Sequence, residues 1–316
     1  MRIVTYSPAF TLVPTYECFN RCSYCNFRTN PEEDVWLTLD RAREILTTLQ
    51  GKEVTEILIL SGEVHPHSKR RKDWLQLIYD IAHLALSMGF FPHSNVGPLS
   101  YEEMTLLKTV NASMGLMVEQ VTPSLLDTVH HFAPSKIPQL RLEQLEWAGV
   151  LQIPFTTGIL LGIGESSCDR MESLRAIASI HKKYGHIQEV ILQPYSKGNK
   201  DNYSQNNFSS LEMLETIKKA KEILPNNIAI QIPPNLIEDE NTLIKCLELG
   251  VTDLGGIVPK DEVNPDYYHH SLEDLTTTLL NHGWLLKPRL PVYPQYYQET
   301  FTRLKILGNQ DTKRLI

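Results

Sequence analysis

Short apolar runs alternate with longer amphipathic segments almost from one end of this chain to the other, and that rhythm most limits its fold. The runs Phe10–Thr15, Ile57–Leu60, Phe90–Val96, Met114–Val118, Pro154–Leu161, Glu189–Gln193, Ile228–Ile232 and Asp253–Ile257 are expected as strands. Between them Leu39–Gln50, Trp74–Met88, Tyr101–Thr109, Ile137–Ala148, Met171–Tyr184, Leu211–Leu224, Asn241–Leu249 and Leu272–His282 read as helices. Gly51, Gly89, Gly149, Gly185, Gly250 and Gly283 stand where helices should stop. Strands separated by helices pair in parallel, because a crossover must carry the chain back to the same edge. About eight such units in 316 residues suit one α/β domain, a (β/α)8 TIM-type barrel, whose active groups gather at the C-terminal strand ends. No repeat, low-complexity stretch or linker marks a second domain. Residues 1–316 are therefore expected as one domain, with a barrel core over about 4–285 and a C-terminal extension, 286–316, packing on it. The Pro-rich Pro288–Pro294 lies in that extension and reads as an extended brace.

The chain has five cysteines, and Cys18, Cys22 and Cys25 form a C-x3-C-x2-C cluster after the first expected strand. Thiolates are soft ligands suited to iron–sulfur clusters, copper(I) and zinc. A closed zinc site wants a fourth ligand, and neither Cys168 nor Cys246 has a nearby Cys or His partner. Electron carriers generally hold a [4Fe–4S] cluster with four cysteines, so three would leave one iron open. Two plainer readings compete: small buried residues on one helix face, or a thioredoxin-like C-x-x-C pair. The first fits poorly with Asn20, Arg21 and Ser23 between the cysteines and with Pro14 and Pro31 around them. The second leaves Cys18 without a role.

Other polar groups also follow the strands: Ser61-Gly62-Glu63, His93-Ser94-Asn95, Glu119-Gln120, Gly162-Ile163-Gly164-Glu165, Gln193-Pro194-Tyr195, Pro233-Pro234-Asn235 and Asp253-Leu254-Gly255-Gly256. The run Gly158–Glu165 fails as a dinucleotide-binding motif, since Ser166-Ser167 stand where its third glycine belongs. Met114 and Met117 read as core filling. His65-Pro66-His67 could pair on a metal, with His93 and Asp253 completing a hydrolase site; plain loop histidines are the simpler reading.

A net charge of −7 argues against nucleic acid as a partner. The cation run Lys69-Arg70-Arg71-Lys72 reads as a solvated helix start, or else as a dock for a small acidic electron donor. No apolar run is long enough to span a bilayer and the N-terminus lacks a secretory stretch, so no membrane association is expected. Sparse, odd cysteines point to a reducing, cytoplasmic setting.

The cysteine spacing is similar to the signature of the radical S-adenosylmethionine (SAM) enzymes. That resemblance implies a [4Fe–4S] cluster on Cys18, Cys22 and Cys25, its open iron chelating the amino and carboxylate groups of SAM. Ser61-Gly62-Glu63 stands where the family usually carries Gly-Gly-Glu to hold the methionine amine, with Ser61 as a mild departure. Glu119 would meet the ribose hydroxyls, and the Gly158–Glu165 run, including Gly162 and Glu165, would pack on adenine. Cys18-Phe-Asn-Arg-Cys-Ser-Tyr-Cys-Asn-Phe-Arg28 resembles the deazaflavin-forming branch of the family on its ring-closing side. So do His93–Ser100, Val110–Glu119, Ile153–Glu165, Ile232–Leu236 and Asp253–Ile257. The branch that joins tyrosine to ribitylaminouracil typically carries Cys-Ala-Phe after its cluster. The resemblance implies a carbon–nitrogen lyase working with that transferase and with a low-potential electron donor such as ferredoxin or flavodoxin. His93, Asn95, Gln193, Asn235 and Asp253 are the candidates to hold substrate.

Overall fold

The protein is described by a computed structural model covering residues 1–237, 239–257 and 271–305. Strands β1 (Arg2–Leu12), β2 (Glu56–Leu60), β3 (Phe91–Asn95), β4 (Ser113–Gly115), β5 (Phe155–Leu161), β6 (Ile187–Pro194), β7 (Ala229–Gln231) and β8 (Asp253–Ile257) lie side by side in chain order. All pair in parallel, and β1 closes the barrel by pairing with both β2 and β8. The crossovers are α1 (Leu39–Leu49), α2 (Arg71–Ser87), α3 (Tyr101–Lys108), α4 (Pro138–Val150), α5 (Ser167–Tyr184), α6 (Ser210–Ile223), α7 (Glu240–Leu249) and α8 (Leu272–Asn281). The expected (β/α)8 barrel is therefore the fold. No described helix is long and apolar enough to cross a membrane.

Local chemistry explains these boundaries. Ser100 with Glu103 and Ser166 with Asp169 form capping boxes that start α3 and α5, while Thr38, Ser209, Asp239 and Ser271 cap other helix starts. Every residue of β5 is buried, as expected for a strand with side chains on one face and helices on the other. Gly149 is an exception to the expected helix stops, since it lies inside α4. A Cβ there would come within 2.5 Å of the Tyr184 ring, so the glycine permits close packing of α4 on α5.

Two features differ from the strand pattern expected. Strand β1 begins at Arg2, well before Phe10, because it has three partners along its length. Its first residues, Arg2–Tyr6, pair with a ninth parallel strand, β9 (Trp284–Pro288), and Ala9–Leu12 pair with β2. The chain then crosses the N-terminal end of the barrel. Pro291 O accepts hydrogen bonds from Ser113 Oγ (2.6 Å) and Gln188 Nε2 (2.9 Å), and Arg289 N donates to Tyr6 O (2.8 Å). Beyond it Leu290, Val292 and the short helix α9 (Tyr297–Arg303) with Phe301 pack on Phe91 and Ala112, apart from the main core. This segment floors the barrel, so the opposite end is the open one.

Candidate active site

Leu12 ends β1 and the cysteine loop begins at the mouth. Backbone bonds from several crossovers hold it: Phe19 N donates to Glu63 O (3.0 Å), Arg21 N to Phe132 O (2.7 Å) and Ser23 N to Val129 O (3.0 Å). Gly62 is pressed against it, and a Cβ at Gly62 would lie 2.1 Å from Glu17 O. Glu17 is itself fixed by Trp36 Nε1 (3.0 Å) and Arg70 (2.6 Å). Cys18, Cys22 and Cys25 are free thiols that line one cavity of about 230 Å³. Burial pushes the Cys22 thiol up to about 12 and the Cys18 thiol up to about 11, the latter helped by Glu63. Their thiolates therefore need a compensating positive centre. Among the described residues no Cys, His, Asp or Glu side chains gather in threes as they would around one ion. Three cysteines on separate irons of a cluster need no such convergence, and the sulfur set fits a [4Fe–4S] cluster.

Glu63, Glu119, Ser61 and Gly62 line the same cavity. Asn20 Nδ2 donates to Glu63 at 2.9 Å, and the buried Arg141 guanidinium reaches its other oxygen at 3.2 Å. Arg141 also donates to Met117 O (2.6 Å) and Ser135 O (3.0 Å). Glu119, at φ +64°, pairs with Lys136 Nζ at 2.5 Å. Burial alone would raise the Glu119 carboxyl, but Lys136 and then Arg141 outweigh it and hold the group below its ordinary range. Lys136 and Arg141 carry no motif of their own and sequence reasoning missed them. The only available signal was two cations soon after Glu119 in a stretch that turns back on the mouth. Tyr24, between the second and third cysteines, meets His130 Nε2 at 2.8 Å. Burial raises the phenol and lowers the imidazole to about 4, so the neutral phenol donates to a neutral ring.

Gln193, at the end of β6, also lines the cavity, together with Leu160 of β5. Gly162 and Glu165 do not line it. Glu165 is buried and accepts from Gly162 N and Ile163 N at 2.8 Å and from Arg170 Nε at 2.7 Å, so it shapes the turn after β5. Asn95 closes β3, where its carbonyl accepts from Ser61 N (3.4 Å), and its side chain does not line the cavity. Asn235 lines an adjoining groove.

His93 and Asp253 lie elsewhere, and the substrate role expected for them is corrected. Asp253 begins β8, fully buried, and its carboxylate is bound by Arg289 at 2.6 and 2.7 Å in the barrel floor. His93 Nδ1 is 2.7 Å from Ser113 Oγ, whose proton goes to Pro291 O, so the ring donates. Burial, then Arg289, lowers His93 to about 3. Both stand where the expected strands already put them, Asp253 first in Asp253–Ile257 and His93 midway along its strand, away from the mouth.

The hydrolase alternative also lacks its ligands. His65 Nδ1 accepts from the His67 backbone (3.1 Å), its ring packs on Phe19, and no third ligand among the described residues joins the pair. The basic run is only half solvated. Arg70 is tied to Glu17, and Arg71 is buried against Glu103 (2.6 Å) and over the Trp74 ring.

The radical SAM superfamily profile matches residues 12–177, which contain the whole cysteine loop and most of the cavity wall. The chain belongs to the radical SAM superfamily. Its cofactors are accordingly a [4Fe–4S] cluster and SAM. It is 61% identical over 294 residues to the 7,8-didemethyl-8-hydroxy-5-deazariboflavin synthase of Trichormus variabilis, covering 93% of this chain and 86% of the relative. Proteins of the same name from Synechocystis sp. (58% over 297 residues, 94% and 95% covered) and Gloeobacter violaceus (52% over 314 residues, 99% and 97%) match similarly. Among solved structures, the FeFe-hydrogenase maturase HydG from Carboxydothermus hydrogenoformans aligns with a TM-score of 0.76 at 21% identity, covering 99% of this chain and 81% of that one. Methylornithine synthase (PylB) aligns with a TM-score of 0.69 at 16% identity, covering 94% and 86%. At these identities the structural likeness speaks for the fold alone.

Proposed function

We propose that this chain closes the deazaflavin ring. It converts 5-amino-5-(4-hydroxybenzyl)-6-(D-ribitylimino)-5,6-dihydrouracil to 7,8-didemethyl-8-hydroxy-5-deazariboflavin with loss of ammonia, as a carbon–nitrogen lyase. The observation that carries this reading is a cavity shared by Cys18, Cys22, Cys25 and Glu63, in a chain related over nearly its full length to proteins named for that product. Residues 1–316 act as one catalytic unit, with the cluster on the three cysteines. When bound, the cluster and SAM supply a primary carbon radical that takes a hydrogen atom from substrate.

The protein's own side chains bind and orient. Glu63, held by Asn20 and Arg141, receives the methionine ammonium, and Gly62 keeps that carboxylate's strand end against the cysteine loop. Glu119 stays ionised beside Lys136 and accepts from the ribose hydroxyls. Glu165 and Gly162 act indirectly by fixing the turn next to adenine. Gln193 faces the space where substrate meets the cofactor. Close placement of the reacting carbon, within about 3–3.5 Å, is what such a binding frame contributes. A partner transferase supplies the adduct, and a ferredoxin- or flavodoxin-like donor supplies electrons. The test offers two substrate sets without air: the purified adduct, or tyrosine with 5-amino-6-ribitylaminouracil. Deazaflavin from the adduct supports the reading; adduct made from the second set would identify the transferase instead.

A further inference from the structure

The cavity beside the cysteines is small for its task. At about 230 Å³ it is committed to the cofactor, whereas sites for ligands of substrate size run to roughly 300–1,000 Å³. A second space of about 940 Å³ opens next to it, between the loop after β6 and the turn after β7. The two are continuous, because Pro194, Tyr195, Ser196 and Leu236 line both.

The lip of this groove is tied to the cysteine loop. Asn26, directly after Cys25, accepts from Lys200 N at 2.6 Å, and Asn202 N donates to Ser23 O at 2.8 Å. Gly198 lies flat on the Asn26 amide, where a Cβ would come within 2.4 Å. Tyr195 O–H and Gly198 N both bond Asp201 (3.1 and 2.7 Å), which stiffens the bend. An occupant of the groove is therefore held in fixed register with the cluster loop.

The lining is chemically selective. Gln205 and Asn206 bring neutral donors and acceptors to the lining, beside Asn207, whose Oδ1 accepts from Lys197 N at 2.9 Å, and Ser209, whose hydroxyl caps α6 at Glu212 N (3.5 Å). Lys197 is the one cation among the described lining residues, which also include the carboxylates Asp239 and Glu240. A phosphate monoester would meet two carboxylates for one ammonium group, whereas an uncharged polyol would find alternating partners for its hydroxyls. We infer that this groove is the seat of a neutral polyol chain on the substrate and selects against its phosphorylated form. The inference rests on the proposed reading for the source of that chain, the ribityl group, and for the cofactor's place in the smaller cavity.

Binding of the fluorescent deazaflavin product is the readout, because it needs no turnover. Wild-type holoenzyme should bind the ribityl compound at least about tenfold more tightly than a counterpart with methyl in place of ribityl, and more tightly than its phosphate monoester. Asn206→Trp, which fills the groove, and the Gln205→Leu/Asn206→Leu double variant, which removes donors without adding bulk, should each erase most of that preference. Equal binding of ribityl and methyl compounds by wild type, tighter binding of the phosphate, or full preference in both variants would overturn the inference. If the preference holds while the adduct is never converted, the groove stands and the ring-closing reading fails.

Discussion

Ser61 stands where relatives of the superfamily usually carry glycine, and its hydroxyl accepts the Trp74 indole N–H at 3.0 Å. The residue thus anchors α2 behind the strand end while Gly62 keeps the close approach to the cysteine loop. Glu63 is the member of the trio proposed to meet the methionine ammonium. Glu63→Gln preserves its shape but removes a charge-assisted contact of roughly 1.5–3 kcal/mol, so SAM affinity should fall about ten- to a hundredfold in an anaerobic titration. Cys18→Ala, Cys22→Ala and Cys25→Ala should each lose cluster iron and sulfide. Cys168→Ala, on the exposed face of α5, and Cys246→Ala, in the core under α7, should retain both. The three cysteines and Glu63, which the structure brings to one cavity, sit in contiguous motifs and so drew attention in the sequence. Lys136 and Arg141 did not, because their meaning depends on a chain reversal that brings them back over the mouth. His93 and Asp253 failed for a different reason: the middle and the first residue of a strand lie away from the C-terminal strand ends where a barrel gathers its site.

At the scale of elements, all eight crossover helices and most barrel strands follow their sequence periodicity to within a few residues at each end. Strand β9 and the floor segment escaped it. The floor segment's polar groups answer side chains on β4, β6 and β8 rather than an amphipathic pattern of its own. Arg289 is central there, reaching Asp253 and Glu189 while Tyr293 donates to Glu189 at 3.0 Å. Arg289→Met would leave buried carboxylates without a cation and should cost about 3–5 kcal/mol in unfolding experiments, with Asp253→Asn in the same chain recovering part of it. Glu56 lies in the same polar region, where burial lifts its carboxyl to about 7 against the partial pull of Arg289. The folded protein keeps a proton that an unfolded glutamate releases near pH 4.3, so this group's stabilising contribution is lost as pH rises from about 4.3 through 7. His93 works in the opposite sense, because its neutral buried ring costs stability as pH falls below about 6.5. The difference in Tm between Glu56→Gln and wild type isolates the first effect. It should move in favour of the variant between pH 4.5 and 7.5, and a flat difference would show that Glu56 titrates normally.

For the whole molecule, the barrel divides the labour between its ends. The floor is closed by the C-terminal segment and its buried ion pairs, while the mouth gathers a soft-ligand loop, two carboxylates fixed by Arg141 and Lys136, and a polar groove. The cavity that the three cysteines share is walled by crossover segments at the mouth, opposite the closed floor. The most direct measurement is an anaerobic single-turnover assay with reduced, cluster-loaded protein, SAM and the purified adduct. The account predicts that 5′-deoxyadenosine and the fluorescent deazaflavin appear together and that the Cys22→Ala variant forms neither. Formation of 5′-deoxyadenosine with the adduct left unchanged, or deazaflavin formation by the Cys22→Ala variant, would contradict it.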